Sequence, residues 1–177
     1  MSTIKFQATP YAIGSWTVLR LPQTASKKLP SRGMSMVEGT INGFHFRAPL
    51  EPDGKGSHWL KIEKSMQAKV GDTASVEIEP IEQWPEPKIP ADVKQALAGA
   101  PKSLRVWNEA TPMAHWDWIR WVGMSKNPDT RKKHILVALS KLARGERRPC
   151  CFNRSVCCEP AVSKNGVLLD PAATGPK

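Results

Sequence analysis

The sequence predicts an α+β protein, with a small barrel or sandwich of β-strands in its first half and a helical module of about four helices in its second. Three observations carry this. Residues 1–84 hold short runs in which apolar and polar residues alternate, at near-regular spacing. Residues 91–146 hold apolar residues at helical spacing, with capping residues and prolines where helices begin. Between them, residues 85–90 carry three prolines in six residues. Neither a helix nor a central strand survives that density, so the segment reads as a stiff, extended linker. The chain's 177 residues suit one domain or two small ones.

The elements follow in order. Ile4 to Ala8 and Trp16 to Leu21 alternate as strands do. Met36 to Ile41 leads into Asn42-Gly43, and Phe44 to Ala48 follows. Asn-Gly between two such runs is a hairpin signal, because both residues tolerate positive φ. Gly39 inside its run suggests a bulge. Glu51 to Ser57 reads as a loop, His58 to Ile62 as a strand, and Val70-Gly71-Asp72 as a turn into a strand over Thr73 to Glu79. In the second half, Pro90 opens a helix over Ala91 to Ala98, and Pro101 opens another through Leu104 and Trp107. Thr111-Pro112 supplies a cap and a first-turn proline for a third helix, which carries Trp116, Trp118, Ile119, Trp121 and Val122. A fourth starts at Asn127-Pro128 and carries Ile135, Leu136, Leu139 and Leu142. The tail, residues 147–177, reads as loop. Its one apolar stretch, Val167-Leu168-Leu169, is expected to pack it on the body.

Composition excludes several classes. Hydrophobic residues at 40% and charged residues at 24% are ordinary for a globular chain, not for a disordered or collagen-like one. No apolar run reaches the roughly 18 residues of a membrane span. The N-terminus has no signal-peptide pattern, so a cytoplasmic protein without integral membrane contact is expected. Charge is unevenly placed. Residues 1–86 hold 10 basic and 9 acidic residues, whereas residues 87–177 hold 16 basic and 7 acidic. A basic half points to an anionic partner, nucleic acid, an anionic membrane surface or an acidic protein, with a well-solvated surface as the plain alternative.

The candidate anion or nucleic-acid contacts are Arg131, Lys132, Lys133, Arg144, Arg147 and Arg148. The first three occupy the opening turns of their helix, where cations oppose the macrodipole. The others crowd the far end, where cations suit it. Phosphate binding needs them on one face. The four cysteines, Cys150, Cys151, Cys157 and Cys158, lie within nine residues. Four thiols can hold zinc, but zinc ligands come in separated pairs two to four residues apart, and adjacent cysteines point differently. Buried structural thiols are one reading; a redox site is another, favoured by Arg147, Arg148 and Arg154 nearby in sequence. The tryptophans read as packing first, with base stacking as the alternative. His45 and His58, in strand-like runs beside aromatics, read as structural residues. Glu77 and Glu79 share a strand face and read as a solvent stripe. No nucleophile elbow, zinc-protease motif or dinucleotide loop is found, so no catalytic residue, metal or cofactor is expected.

Several stretches resemble known families. Trp16, Val18, Leu19 and Leu21-Pro22, the run Val37-Glu38-Gly39-Thr40-Ile41-Asn42-Gly43-Phe44-His45-Phe46, and Val70-Gly71-Asp72 resemble the domain of unknown function 1905. Pro90, Asp92-Val93, Ala96-Leu97, Trp118-Ile119 and Thr130-Arg131 resemble the bacteriocin-protection, YdeI or OmpD-associated family. The tail Arg148-Pro149-Cys150-Cys151-Phe152 is similar to that of proteins joining the two. Met124-Ser125-Lys126-Asn127-Pro128 departs from the second family's usual run. The first resemblance implies a double-split β-barrel over residues 1–84, an architecture also used by DNA-binding dimers that carry basic groups on the barrel; here that half is nearly neutral. The second implies a bacterial role in stress or antimicrobial-peptide protection. The expected protein is a non-enzymatic interaction module. A nucleic-acid binder using the basic half, or a thiol redox or metal site at the cysteines, are the alternatives.

Overall fold

The computed structural model describes residues 2–150 and 152–172. The chain forms two compact units. The first comprises Met1–Glu82, Arg154–Cys157 and Ala161–Lys177; the second comprises Gln83–Asn153 and Cys158–Pro160.

The first unit is built on seven strands: β1 (Ile4–Ala8), β2 (Tyr11–Ile13), β3 (Trp16–Arg20), β4 (Ser35–Ile41), β5 (Phe44–Pro52), β6 (His58–Lys61) and β7 (Ala74–Pro80). They form one antiparallel sheet in the order β1-β7-β4-β5-β6-β3-β2, curled into a half-barrel. Strand β5 spans the bend. Its Phe44–Leu50 stretch pairs with β4, and its last two residues, Glu51 and Pro52, pair with β6. That pairing extends β5 into the stretch expected to be loop. The Asn42-Gly43 hairpin forms as expected, with φ of 49° and 82°. Gly39 does not sit in a bulge, because its neighbours pair in unbroken register with both β5 and β7. It is needed for close approach: a Cβ there would lie 1.9 Å from the Glu77 carbonyl oxygen.

Alternation along the strands gives the sheet two buried faces. Leu19 and Leu60 enter the main core with Val37, Ile41, Leu50 and Ile78. Their neighbours Val18 and Trp59 point the opposite way, into a second cluster with Ile13, Cys157, Val162 and Leu168. The last three come from the tail, so the chain returns to cover the back of β3 and β6. The tail is not plain loop. It contains a two-stranded hairpin, β8 (Ser163–Lys164) and β9 (Val167–Leu168), turned by Asn165-Gly166 at φ of 52° and 77°. The Leu168 amide donates to the Asp53 carbonyl at 2.9 Å. Tyr11 Oη donates to the Leu169 carbonyl at 2.8 Å. Arg20 Nη1 meets Asp170 Oδ1 at 2.8 Å. A short helix, α1 (Gln23–Ser26), lies in the β3–β4 connection.

The second unit holds α2 (Ala91–Ala98), α3 (Pro101–Glu109), α4 (Pro112–Gly123) and α5 (Pro128–Ala143). Thr111 Oγ1 accepts from the Ala114 amide, and Asn127 Oδ1 accepts from the Asp129 and Thr130 amides. These are the caps the sequence predicts. Val93, Leu97, Trp107, Trp118, Val122, Ile135, Ala138 and Leu142 form the core. Trp107 and Trp118 are thus packing residues, and Trp118 Nε1 donates to the Arg147 carbonyl at 2.9 Å. The proline-rich segment is held against α4. Trp116 Nε1 donates to the Pro85 carbonyl at 2.9 Å, and His115 Nδ1 lies 2.7 Å from Glu86 Oε2. Among the described residues no helix is long and apolar enough to cross a membrane.

Candidate functional site

The second unit holds 13 basic and 7 acidic residues, and α5 arranges part of that excess. The helix buries Ile135, Ala138 and Leu142. These follow a three- and four-residue spacing, so residues one position further round face outward. Leu136, expected among the packed residues, is 59% exposed, and Val137 is 42% exposed. The outer face of α5 therefore interleaves Lys132 and Lys133 with Leu136 and Val137, and Ser140 and Arg144 follow beyond them. Beside Leu136 lies a groove of about 430 Å³ between α2 and the start of α5. Ala96, Pro128 and Ile135 give it apolar walls, with Gln95 and Lys132 also lining it.

The basic residues singled out by sequence divide by partner. Arg131 is clasped to Asp92 of α2, its Nε 2.7 Å and Nη2 2.9 Å from the two carboxylate oxygens. Arg144 pairs with Glu146 and Arg147 with Glu109, each at 3.5 Å. Lys132, Lys133 and Arg148 are exposed, and among the described residues no ion pair engages them. Half of the set is thus neutralised by neighbours. The remaining lysines are concentrated at the opening turns of α5.

The Asp92–Arg131 clasp fixes one wall of the groove. Hydrogen bonding from Arg131 holds the Asp92 carboxyl below the usual aspartate range. A depressed folded pKa contributes stability above the unfolded value of about 3.9, and that contribution fades as pH falls through the folded value. Both groups are partly exposed, which screens the pair. We expect Asp92→Asn to cost about 1 kcal/mol at neutral pH, the scale of a partly exposed bidentate pair. In urea titrations the gap from the parent protein should shrink as the pH falls below the ordinary aspartate value. A gap unchanged with pH would assign the loss to something other than this carboxylate.

The three described cysteines differ in their surroundings. Cys157 is buried in the second cluster of the sheet unit, whereas Cys158 is buried and counted with the helical unit. Cys150 is exposed, with its Sγ 2.6 Å from Lys141 Nζ. Cys151 lies outside the described residues. Among the described residues no group of three or more His, Cys, Asp or Glu is placed to hold a metal ion.

Two further arrangements have catalytic-looking chemistry. Ser26 Oγ lies 2.7 Å from His58 Nδ1, and His58 Nε2 lies 2.7 Å from the Gly33 carbonyl. Both side chains belong to residues that are 0% exposed. The carbonyl can only accept, so Nε2 carries the proton and Nδ1 accepts from the serine. This is a closed structural bridge between β6 and the β3–β4 connection. On the sheet face opposite the main core, Glu38, Glu77 and Glu79 border a shallow depression of about 780 Å³. Arg47 pairs with Glu38 at 3.0 Å, Lys5 pairs with Glu77 at 3.1 Å, and Thr3 donates to Glu79. It is the solvent stripe that alternation predicts.

The basic run at the start of α5 is legible in the sequence; what surrounds it is not. The outward turn of Leu136 was legible, since Ile135, Ala138 and Leu142 already fill the inward stripe. Asp92 was not, because its partner lies 39 positions away.

Residues 2–79 match the family model described as a domain of unknown function (DUF1905). Residues 86–145 match the model described as bacteriocin-protection, YdeI or OmpD-associated. A search of curated proteins finds no match. The two matches fall in the order the motifs suggest, the domain of unknown function over the curled sheet and the bacteriocin-protection, YdeI or OmpD-associated model over the four helices.

Proposed function

We propose that the chain is a non-enzymatic binding module that engages a protein partner through the outer face of α5. Stress or antimicrobial-peptide protection, after the second family's description, is the role in which this binding serves. One observation carries the reading: Leu136 and Val137 stand exposed on a well-packed helix, beside a groove and among unpaired lysines. Apolar side chains so placed mark an interaction surface more than a solvated one. The enclosure of the Ser26–His58 bridge supports a structural use of the residues that most resemble a catalytic pair. The nucleic-acid alternative is weakened by the loss of Arg131, Arg144 and Arg147 to neighbouring carboxylates.

The test places a photo-crosslinking amino acid at position 136, with one at exposed Lys102 as control. A discrete protein adduct in a bacterial host is expected from position 136 alone, and K132E/K133E should remove it. Labelled DNA and RNA oligonucleotides are titrated in parallel. Binding that persists at physiological salt and drops in K132A/K133A would replace this reading with the nucleic-acid one.

A further inference from the structure

We infer that the partner segment taken by the α2–α5 groove is an acidic amphipathic helix. This rests on the binding-module reading and adds the chemistry of the partner. Lys132 and Lys133 stand in the opening turns of α5, where the helix already presents the positive end of its dipole. They raise each other's energy, and among the described residues neither forms an ion pair, although Asp129 stands three and four positions before them in the first turn of α5. Lys126 stands just before this helix, also exposed and outside any such ion pair. Of the two acids beside this surface, Asp92 is committed to Arg131 and Asp129 stands in the first turn of α5, where it offsets the helix dipole, leaving three lysines facing at most one carboxylate. An incoming carboxylate row would meet the lysines and the helix terminus together.

The apolar part of the surface decides the class of partner. Leu136 stands at the groove edge and Val137 beside it, while Ala96, Pro128 and Ile135 line the groove itself. A concave site of about 430 Å³ suits a protruding side chain, the way an amphipathic helix seats its anchors. A phosphate backbone has no use for the apolar wall, and a flat lipid surface does not fill a groove. The face therefore fits alternating carboxylates and leucines at helical spacing.

The test uses defined probes and the full chain. A fluorescein-labelled helix of Leu/Glu heptads is titrated by anisotropy at physiological salt, beside a Leu/Lys counterpart and an Ala/Glu counterpart without leucines. Only the Leu/Glu helix should bind well. K132E/K133E and L136S should each weaken it about tenfold or more, the scale of losing one good contact set. These residues are exposed, so unchanged thermal unfolding checks that the variants are folded. Equal binding of the Leu/Lys helix, or loss of binding in neither variant, overturns the inference. So does binding of phosphatidylglycerol vesicles or an oligonucleotide that depends on Lys132, Lys133 and Leu136 more strongly than helix binding does. If position 136 still crosslinks a protein while no acidic helix binds, the partner has other chemistry and the binding-module reading stands. If neither occurs, both fall.

Discussion

A chain truncated after Pro160 loses the cooperative unfolding of its N-terminal sheet. The cause is the second buried face of β3 and β6. Val18 and Trp59 point away from the main core and are covered by Val162 and Leu168 from the tail. Both covering residues are almost fully buried, and each such side chain is worth about 2–5 kcal/mol against truncation to alanine. The cut also removes the Leu168 amide from the Asp53 carbonyl and the Asp170 carboxylate from Arg20. A domain of this size has about 5–15 kcal/mol of net stability, so the loss takes most of it. Amide hydrogen exchange at β3 and β6 reads the effect directly. The full-length Leu168→Asp variant separates the contact from the mere shortening, and it should lower the midpoint by about 10 °C or more. A truncated chain that melts like the parent would show that the tail only rests on the sheet. The result bears on how the protein is divided. Both family matches end before this segment, at residues 79 and 145, so a fragment cut at those limits lacks one layer of the fold.

That layer was partly legible. Asn165-Gly166 is the same turn signal as Asn42-Gly43, and Val167-Leu168 follows it. Flanking prolines and two-residue strands disguised it, because strands this short give no alternation to count. The longer strands and all four helices of the second unit were readable, since their periodicity and caps are local facts. Strand β2 and helix α1 were not. Three and four residues long, they are fixed by what they pair with and pack on. The site divides the same way. Lys132 and Lys133 announce themselves by charge against the helix dipole. Their lack of a partner, and the capture of Arg131 by Asp92, are facts of tertiary placement.

Replacing His58 by alanine should cost about 4 kcal/mol in stability, and this separates a structural bridge from a disguised catalytic pair. The imidazole fills fully buried space, so its removal leaves a cavity as well as lost contacts. It also leaves the Gly33 carbonyl without its donor and the Ser26 hydroxyl without its acceptor. Each unsatisfied buried group costs about 1–3 kcal/mol. Ser26→Ala is gentler, about 1–2 kcal/mol, because it opens a smaller space and leaves the buried ring nitrogen unmet, while Arg32, which also reaches the hydroxyl at 3.3 Å, keeps its backbone acceptors. The two losses should not add. Once the histidine is gone, the serine has no bond left to break with it, and the double variant should fall short of the sum by about 1 kcal/mol. Urea unfolding of the four proteins measures this. A hydrolytic pair would behave otherwise. Its serine would be open to an acylating or fluorophosphonate probe in the folded protein, and its replacement would leave stability nearly unchanged. Labelling of Ser26 in the native state would therefore reverse the assignment. Its absence together with a stability loss would fix His58 as the bolt joining β6 to the connection between β3 and β4.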